Sequence, residues 1–185
     1  MERFTRLPCR LNGLSLLERR VIGDARGGLQ RMFCCADLAE AGWTGEVAQS
    51  NLTVTRQKGN LRGLHFQRPP AAEIKAIACI AGSVFDVAVD IRAGSPTFLE
   101  WEGHVLSAEN ARTFVLPEGF AHGFQALSDD AQMLYFHSAA HTPDLEGGLN
   151  ALDPEIGIDW PEPVGLMSDR DRDLPGAAAF EGLRL

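Results

Sequence analysis

The clearest periodicity in the chain runs from Val84 to Ile91. Phe85, Val87, Val89 and Ile91 alternate there with Val84, Asp86, Ala88 and Asp90. A period of two with an apolar odd set predicts a β-strand with one dry face. Similar runs stand on both sides of it. Asn51 to Thr55 is rich in strand-forming residues and ends at Lys58-Gly59-Asn60. Ile74 to Ile80 is largely apolar and turns at Ala81-Gly82-Ser83 into the Val84 run. Ala93-Gly94-Ser95-Pro96-Thr97 makes the next turn, and short strands are expected at Glu100 to Leu106, Thr113 to Leu116, Phe120 to Leu127 and Gln132 to His137. Many short strands at regular spacing predict a sandwich or barrel.

The two ends read differently. Leu11 to Ile22 mixes apolar and charged residues and predicts an arm strand, followed by a turn at Asp24-Ala25-Arg26-Gly27-Gly28. Leu29 to Cys35 predicts another strand, and Ala36 to Gly42 a short helix closed by its glycine. Beyond His141 the chain is rich in Pro, Gly and Asp with little periodicity, as expected of a segment wrapped around a barrel. The reading is one domain over 1–185, with an arm to about residue 45, a barrel to about 140 and a C-terminal wrap.

Composition narrows the partners. A formal net charge of −8 over 185 residues argues against nucleic acid as the main ligand. Local arginines still leave room for a small anion. No apolar run approaches the roughly 20 residues that span a membrane, and Met1 to Leu17 lacks the apolar stretch of a secretory leader, so a cytoplasmic location is expected. Cys9, Cys34, Cys35 and Cys79 form no Cys-x-x-Cys pair. Reduced thiols are expected, with Cys34 and Cys35 on opposite faces of a strand.

The chemistry gathers in two clusters. In Arg62-Gly63-Leu64-His65-Phe66-Gln67 an imidazole is flanked by bulky apolar groups, which suits a positioned base. A lone histidine of this kind is usually a satisfied core residue. A second cluster of the same character, Pro117-Glu118-Gly119-Phe120-Ala121-His122-Gly123-Phe124, makes a site the better reading. Arg62 and His65 have opposite parity and would face opposite ways on an ideal strand. Either Arg62 precedes the strand, a bulge intervenes, or only one of the two belongs to the site.

Pro117-x-Gly119-x-x-His122 resembles the second motif of the cupin jelly-roll barrels. Metal-holding cupins also carry His-x-His and a following acid, whereas this chain reads His65-Phe66-Gln67 with Glu73 further on. His65, Glu73 and His122 would make a two-His-one-carboxylate site, the basis of an alternative reading as a metal-dependent cupin oxygenase.

A longer resemblance is more specific. Leu61 to Gln67, Val84 to Arg92, Gly94 to Phe98, Leu106 to Asn110, Pro117 to Phe124, Asp153-Pro154, Gly157 to Pro161 and Ser168 to Asp171 stand in the order of the dTDP-4-dehydrorhamnose 3,5-epimerase family, the metal-independent cupins. The resemblance runs from Asp24 to Asp171. It implies an all-β cupin jelly-roll barrel with an N-terminal strand arm and short peripheral helices, acting without metal or cofactor on a nucleotide diphosphate 4-keto-deoxy sugar. A proton next to the ketone is removed, an enolate forms, and a proton returns on the opposite face. By resemblance His65 is the base, oriented by Asp171, while Lys75 lies near the enolate oxygen and Tyr135 returns the proton. Arg62 and His122 bind substrate, and Arg26, Gln49, Asn51 and Arg170 serve the nucleotide diphosphate end. The family also implies a homodimer in which Leu11 to Phe33 crosses to the second subunit. A ketoisomerase or a non-catalytic sugar-nucleotide binding cupin would also fit this fold.

The chain departs from the family at four positions. Leu29 replaces an aromatic, Arg31 an acid, His141 a tyrosine and Glu73 a glutamine. A guanidinium has only donors and cannot accept from a thymine N–H. Arg31 therefore raises the expectation of a cytidine or guanosine nucleotide, with His141 in the sugar pocket.

Overall fold

The computed structural model describes residues 3–185; Met1 and Glu2, the start of the expected arm, lie outside them. In chain order the first strands are β1 (Phe4–Leu7), β2 (Ser15–Arg19), β3 (Val21–Asp24), β4 (Gly27–Gln30), β5 (Gln49–Thr55), β6 (Leu61–Gln67) and β7 (Lys75–Ala81). They are followed by β8 (Ser83–Asp90), β9 (Trp101–Ser107), β10 (Arg112–Leu116), β11 (Phe120–Ala126), β12 (Ala131–His137) and β13 (Glu146–Gly148). One sheet has the order β1-β2-β10-β7-β12-β5 and the other β13-β6-β11-β8-β9, and the pairings within both are antiparallel. This is the all-β jelly-roll architecture that the sequence predicts.

Alternation along the strands sorts side chains into an interior and two outer layers. Ile77, Phe114, Leu116, Phe124 and Met133 fill the space between the sheets. Val87, Val89 and Ile91 lie in a second core under Leu149, Ile156, Met167 and Leu183 of the C-terminal segment. The expectation of one dry face on β8 is thereby corrected. The tail covers the outward face, and the inward face carries Val84, Asp86 and Ala88, all fully buried. A third core packs Leu38 and Trp43 onto Leu17, Ala76 and Val115. Leu38 belongs to α1 (Cys35–Ala39).

The arm differs in detail from the sequence reading. The run from Leu11 to Ile22 is divided between β2, in a sheet, and β3, in an exposed hairpin with β4. The predicted strand over Leu29 to Cys35 ends at Gln30. Cys34 caps α1 and Cys35 begins it, so the two cysteines do not alternate across a strand. All four cysteines are free. No helix among the described residues is long and apolar enough to cross a membrane.

The Arg62–His65 parity problem is resolved by a bulge. On β11, His122 pairs with His65 and Phe124 with Arg62, so three steps on β6 match two on its partner. The extra residue turns Arg62 and His65 to the same face. Gly63 has φ of 112° at this point, and a Cβ on it would stand 2.6 Å from Gly123 Cα. Glycine is required there by both conformation and space.

The turn after β8 is clasped by Asp90. Its carboxylate accepts from Arg92 N, Nε and Nη2, at 3.0, 2.9 and 2.7 Å, and from the hydroxyls of Ser95 and Thr97, each at 2.6 Å. Burial pushes this carboxyl up, but the bonds from Arg92, Ser95 and Thr97 outweigh burial and hold it down at about 2. A carboxyl depressed in the folded state stabilises the fold above its unfolded value and loses that contribution as pH falls toward the folded value. Urea unfolding should therefore weaken by roughly 2 kcal/mol between about pH 5 and pH 2 on account of this residue. Asp90→Asn should remove that part of the pH dependence. An unchanged acid limb in the variant would show that the clasp contributes nothing.

Candidate active site

The pocket opens between the sheets at the end where β6, β11, β12 and β5 converge. It has a volume of about 450 Å³. On one wall His65 Nε2 stands 2.8 Å from Asp171 Oδ1. Asp171 belongs to α2 (Asp169–Arg172), a single turn whose N-cap Ser168 accepts from Asp171 N at 3.0 Å. The other carboxylate oxygen of Asp171 accepts from Gly63 N at 3.1 Å. Burial pushes Asp171 up, yet the His65 and Gly63 bonds win and hold its carboxyl below the usual range. The carboxylate is thus a charged, doubly anchored support for the imidazole.

His122, directly across from His65 in register, makes a second pair. Its Nε2 lies 3.0 and 3.1 Å from the oxygens of Asp86, which is wholly buried. On the opposite sheet Tyr135 faces the pocket, with the His122 ring edge-on and the His137 ring stacked parallel, each at 5.9 Å between centroids. Burial, reinforced by the charge of Asp86, raises the phenol far above its ordinary value. Tyr135 therefore stays protonated at any working pH.

Lys75 extends along the floor, its ammonium donating to His65 O at 3.4 Å and standing 3.2 Å from Glu73 Oε1. Glu73 Oε2 lies 2.7 Å from His137 Nδ1. Burial works against the Glu73 charge, but His137 and Lys75 together hold its carboxyl below the usual range. At the mouth, Glu146 bridges His141 Nε2 at 3.1 Å and Arg170 Nη2 at 2.7 Å. Gln49 Oε1 accepts from His141 N at 3.0 Å. Asn51 and Arg62 complete the lining, with Arg62 Nε donating to Thr55 Oγ1 at 3.2 Å.

Ten of the twelve residues singled out from the sequence line this one cavity. Arg26 and Arg31 do not. Arg26 is paired with Asp24 in the exposed hairpin, and Arg31 with Asp37 at 2.6 Å. The alternative metal triad is not assembled, which corrects that reading on geometry. Among the described residues, the ligand atoms of His65, Glu73 and His122 do not gather within reach of one ion.

The chain matches the dTDP-4-dehydrorhamnose 3,5-epimerase family over residues 8–178. It belongs to that family. A dTDP-4-dehydrorhamnose 3,5-epimerase of Streptomyces griseus is 39% identical over 176 residues, covering 94% of this chain and 87% of the relative. Among solved structures, the dTDP-6-deoxy-D-glucose-3,5-epimerase of Legionella pneumophila Philadelphia 1, in complex with dTDP-4-keto-L-rhamnose, superposes with a TM-score of 0.91 at 38% identity, over 98% of both chains. A 3′-monoepimerase of Streptomyces bikiniensis in complex with dTDP-quinovose gives 0.88 at 35% identity, over 96% of this chain and 91% of that one. This epimerase is accordingly an isomerase, and the oxygenase, ketoisomerase and binding-module readings are not favoured.

Sequence reasoning did not single out His137 or Glu146 in the epimerase pocket, or Asp86 buried behind His122. For Asp86 a signal existed, since a carboxylate on the small-residue face of an apolar strand needs a buried partner. His137 shares parity with Tyr135, which placed it on the right face without assigning it a partner. Nothing local marked Glu146.

Proposed function

We propose that this epimerase inverts C3, C5 or both of a thymidine diphosphate-linked 4-keto-6-deoxy sugar, as a step of deoxysugar biosynthesis. The observation that carries this reading is the His65–Asp171 pair on one wall with a protonated Tyr135 on the other. His65 takes the proton next to the ketone through its free ring nitrogen. Asp171 fixes the tautomer and stabilises the imidazolium that forms. The electron pair moves onto the ketone oxygen as an enolate, which the Lys75 ammonium stabilises. Tyr135 then delivers its phenolic proton to the opposite face, and the configuration inverts. Incubation with such a sugar nucleotide in deuterated water should place deuterium at the inverted carbons. A bound but unlabelled substrate would overturn the reading.

The nucleotide end is completed by a second subunit. The β3–β4 hairpin leaves Val21, Ile22 and Leu29 exposed, and a lone two-stranded ribbon is marginal in water. A homodimer in which the arm crosses to the partner covers that surface and carries Arg26 to the partner's diphosphate. Arg31 stands in an exposed pair with Asp37, and the dTDP sugars bound by the Legionella and Streptomyces bikiniensis enzymes support the same nucleotide here. Calorimetric titration should show thymidine diphosphate binding at least about tenfold (roughly 1.4 kcal/mol) more tightly than the cytidine and guanosine compounds. Equal or reversed preference would return Arg31 to the specificity role. Light scattering on the same solutions should read a dimer, and a fully active monomer would remove the arm from the site.

A further inference from the structure

One group of side chains outside the pocket brings metal-binding atoms together. The sulfur of Cys9, a carboxylate oxygen of Glu102 and a ring nitrogen of His104 all lie within 4.8 Å of one another. Glu102 and His104 are two apart on β9, so the pleat turns both to the interior face, opposite Ala88 and Asp86 of β8. Cys9 comes from the segment between β1 and β2.

The carboxylate is already fixed. Glu102 Oε2 accepts from the backbone N–H groups of Arg10 and Leu11, at 2.8 and 2.7 Å. Oε1 is left facing His104 Nε2 at 2.9 Å. The imidazole is held edge-on against Phe114, 5.0 Å between centroids. These are two preset ligands of different chemistry, with a thiol in reach.

We propose that Cys9, Glu102 and His104 form a three-ligand site for a zinc-class divalent ion, on the edge strand of the sheet and outside the lining of the substrate pocket. Thiolate, imidazole and carboxylate together suit Zn²⁺ or Co²⁺. Mg²⁺ and Ca²⁺ demand oxygen ligands and are poorly served by sulfur. Donor atoms within 4.8 Å of one another stand close to the spacing that ligand bonds of about 2.0–2.3 Å set around one ion. Cys9 also lines a surface cleft with Arg6 and Asn12, so the thiol side of the site borders solvent.

The protons balance without any co-reactant. On binding, the Cys9 S–H proton goes to solvent, and the His104 proton passes from Nε2 to Nδ1. One proton is released per ion, and thiolate plus carboxylate neutralise the double charge. Without an ion the thiol stays protonated, because burial and then the Glu102 charge push it up to about 11. Arg6 pulls weakly the other way, and the Arg10 guanidinium is turned aside to Glu100. The bound ion pins the N-terminal segment to β9 and stabilises the folded chain by mass action, leaving turnover untouched.

The test is titration of chelator-treated enzyme with Co²⁺, followed by the thiolate-to-cobalt charge-transfer band. One equivalent should saturate the band, Zn²⁺ should abolish it, and Mg²⁺ and Ca²⁺ should not. Cys9→Ser should lose the band entirely, and His104→Gln should weaken binding by about a hundredfold or more. Both variants should retain parental turnover, while the rise in Tm with Zn²⁺ seen in the parent disappears. Absence of the band in the parent, or its persistence in Cys9→Ser, overturns the proposal. The sulfur signature separates this site from any adventitious binding at pocket histidines. If Cys9→Ser folds poorly, His104→Gln decides on its own, and parental Co²⁺ affinity in that variant would equally overturn the proposal.

Discussion

His65→Asn is expected to abolish solvent-deuterium exchange into the substrate while leaving the fold intact. The fold should survive because the shorter side chain leaves room for water beside Asp171 Oδ1, where the part-exposed His65 ring stood. Asp171 also keeps its Gly63 N–H bond, and its backbone N–H stays with Ser168, so α2 remains docked. What is lost is the ring nitrogen that the proposed mechanism uses as the base. Removing a positioned base costs on the order of 10²–10⁴ in rate. Mass spectrometry of the recovered sugar nucleotide reads the exchange, and thermal melting reads the fold. Exchange at the parental rate in a folded variant would reduce His65 to a structural histidine.

Tyr135→Phe is expected to separate the two half-reactions. In the proposed mechanism the base stands on β6 of one sheet and the acid on β12 of the other. Loss of the hydroxyl should therefore leave labelling at the carbon but suppress inversion, again by about 10²-fold or more. Packing should change little, because the ring remains against His122 and His137. Nuclear magnetic resonance of the product distinguishes labelled starting configuration from inverted sugar. Normal inversion in the variant would dismiss Tyr135 as the acid and turn attention to His137 and His141.

Most of the barrel was legible because its strands are short, alternate cleanly and end at Gly, Pro or Ser. The predicted strand from Phe120 to Leu127 differs from β11 by one residue. What period alone could not supply was the side of the sheet on which water lies. The odd face of β8 is dry because a tail without periodicity of its own folds over it, and the even face is dry because the other sheet covers it. The short β1 and β13 are held by pairing with β2 and β6 rather than by pattern, and no periodicity marks them. In the site, residues carried by motifs were found, whereas their carboxylate partners were found only where the motif included them. Asp171 was read with Ser168 and Arg170. Asp86 lies on a strand whose apolar face dominates its pattern, so its pairing with His122 did not show.

The origin of Asp171 in the wrap has a consequence for how activity is acquired. His65 is synthesised early and its support late, so the two meet only after the tail has crossed the outside of the second sheet. Contacts of such wide sequence separation are slow to form. A nascent chain still emerging from the ribosome can close its two sheets and yet carry an imidazole that nothing steadies. The wrap thus ties the support of the imidazole to its own docking: a His65 held by Asp171 exists only where that segment has folded over the second sheet.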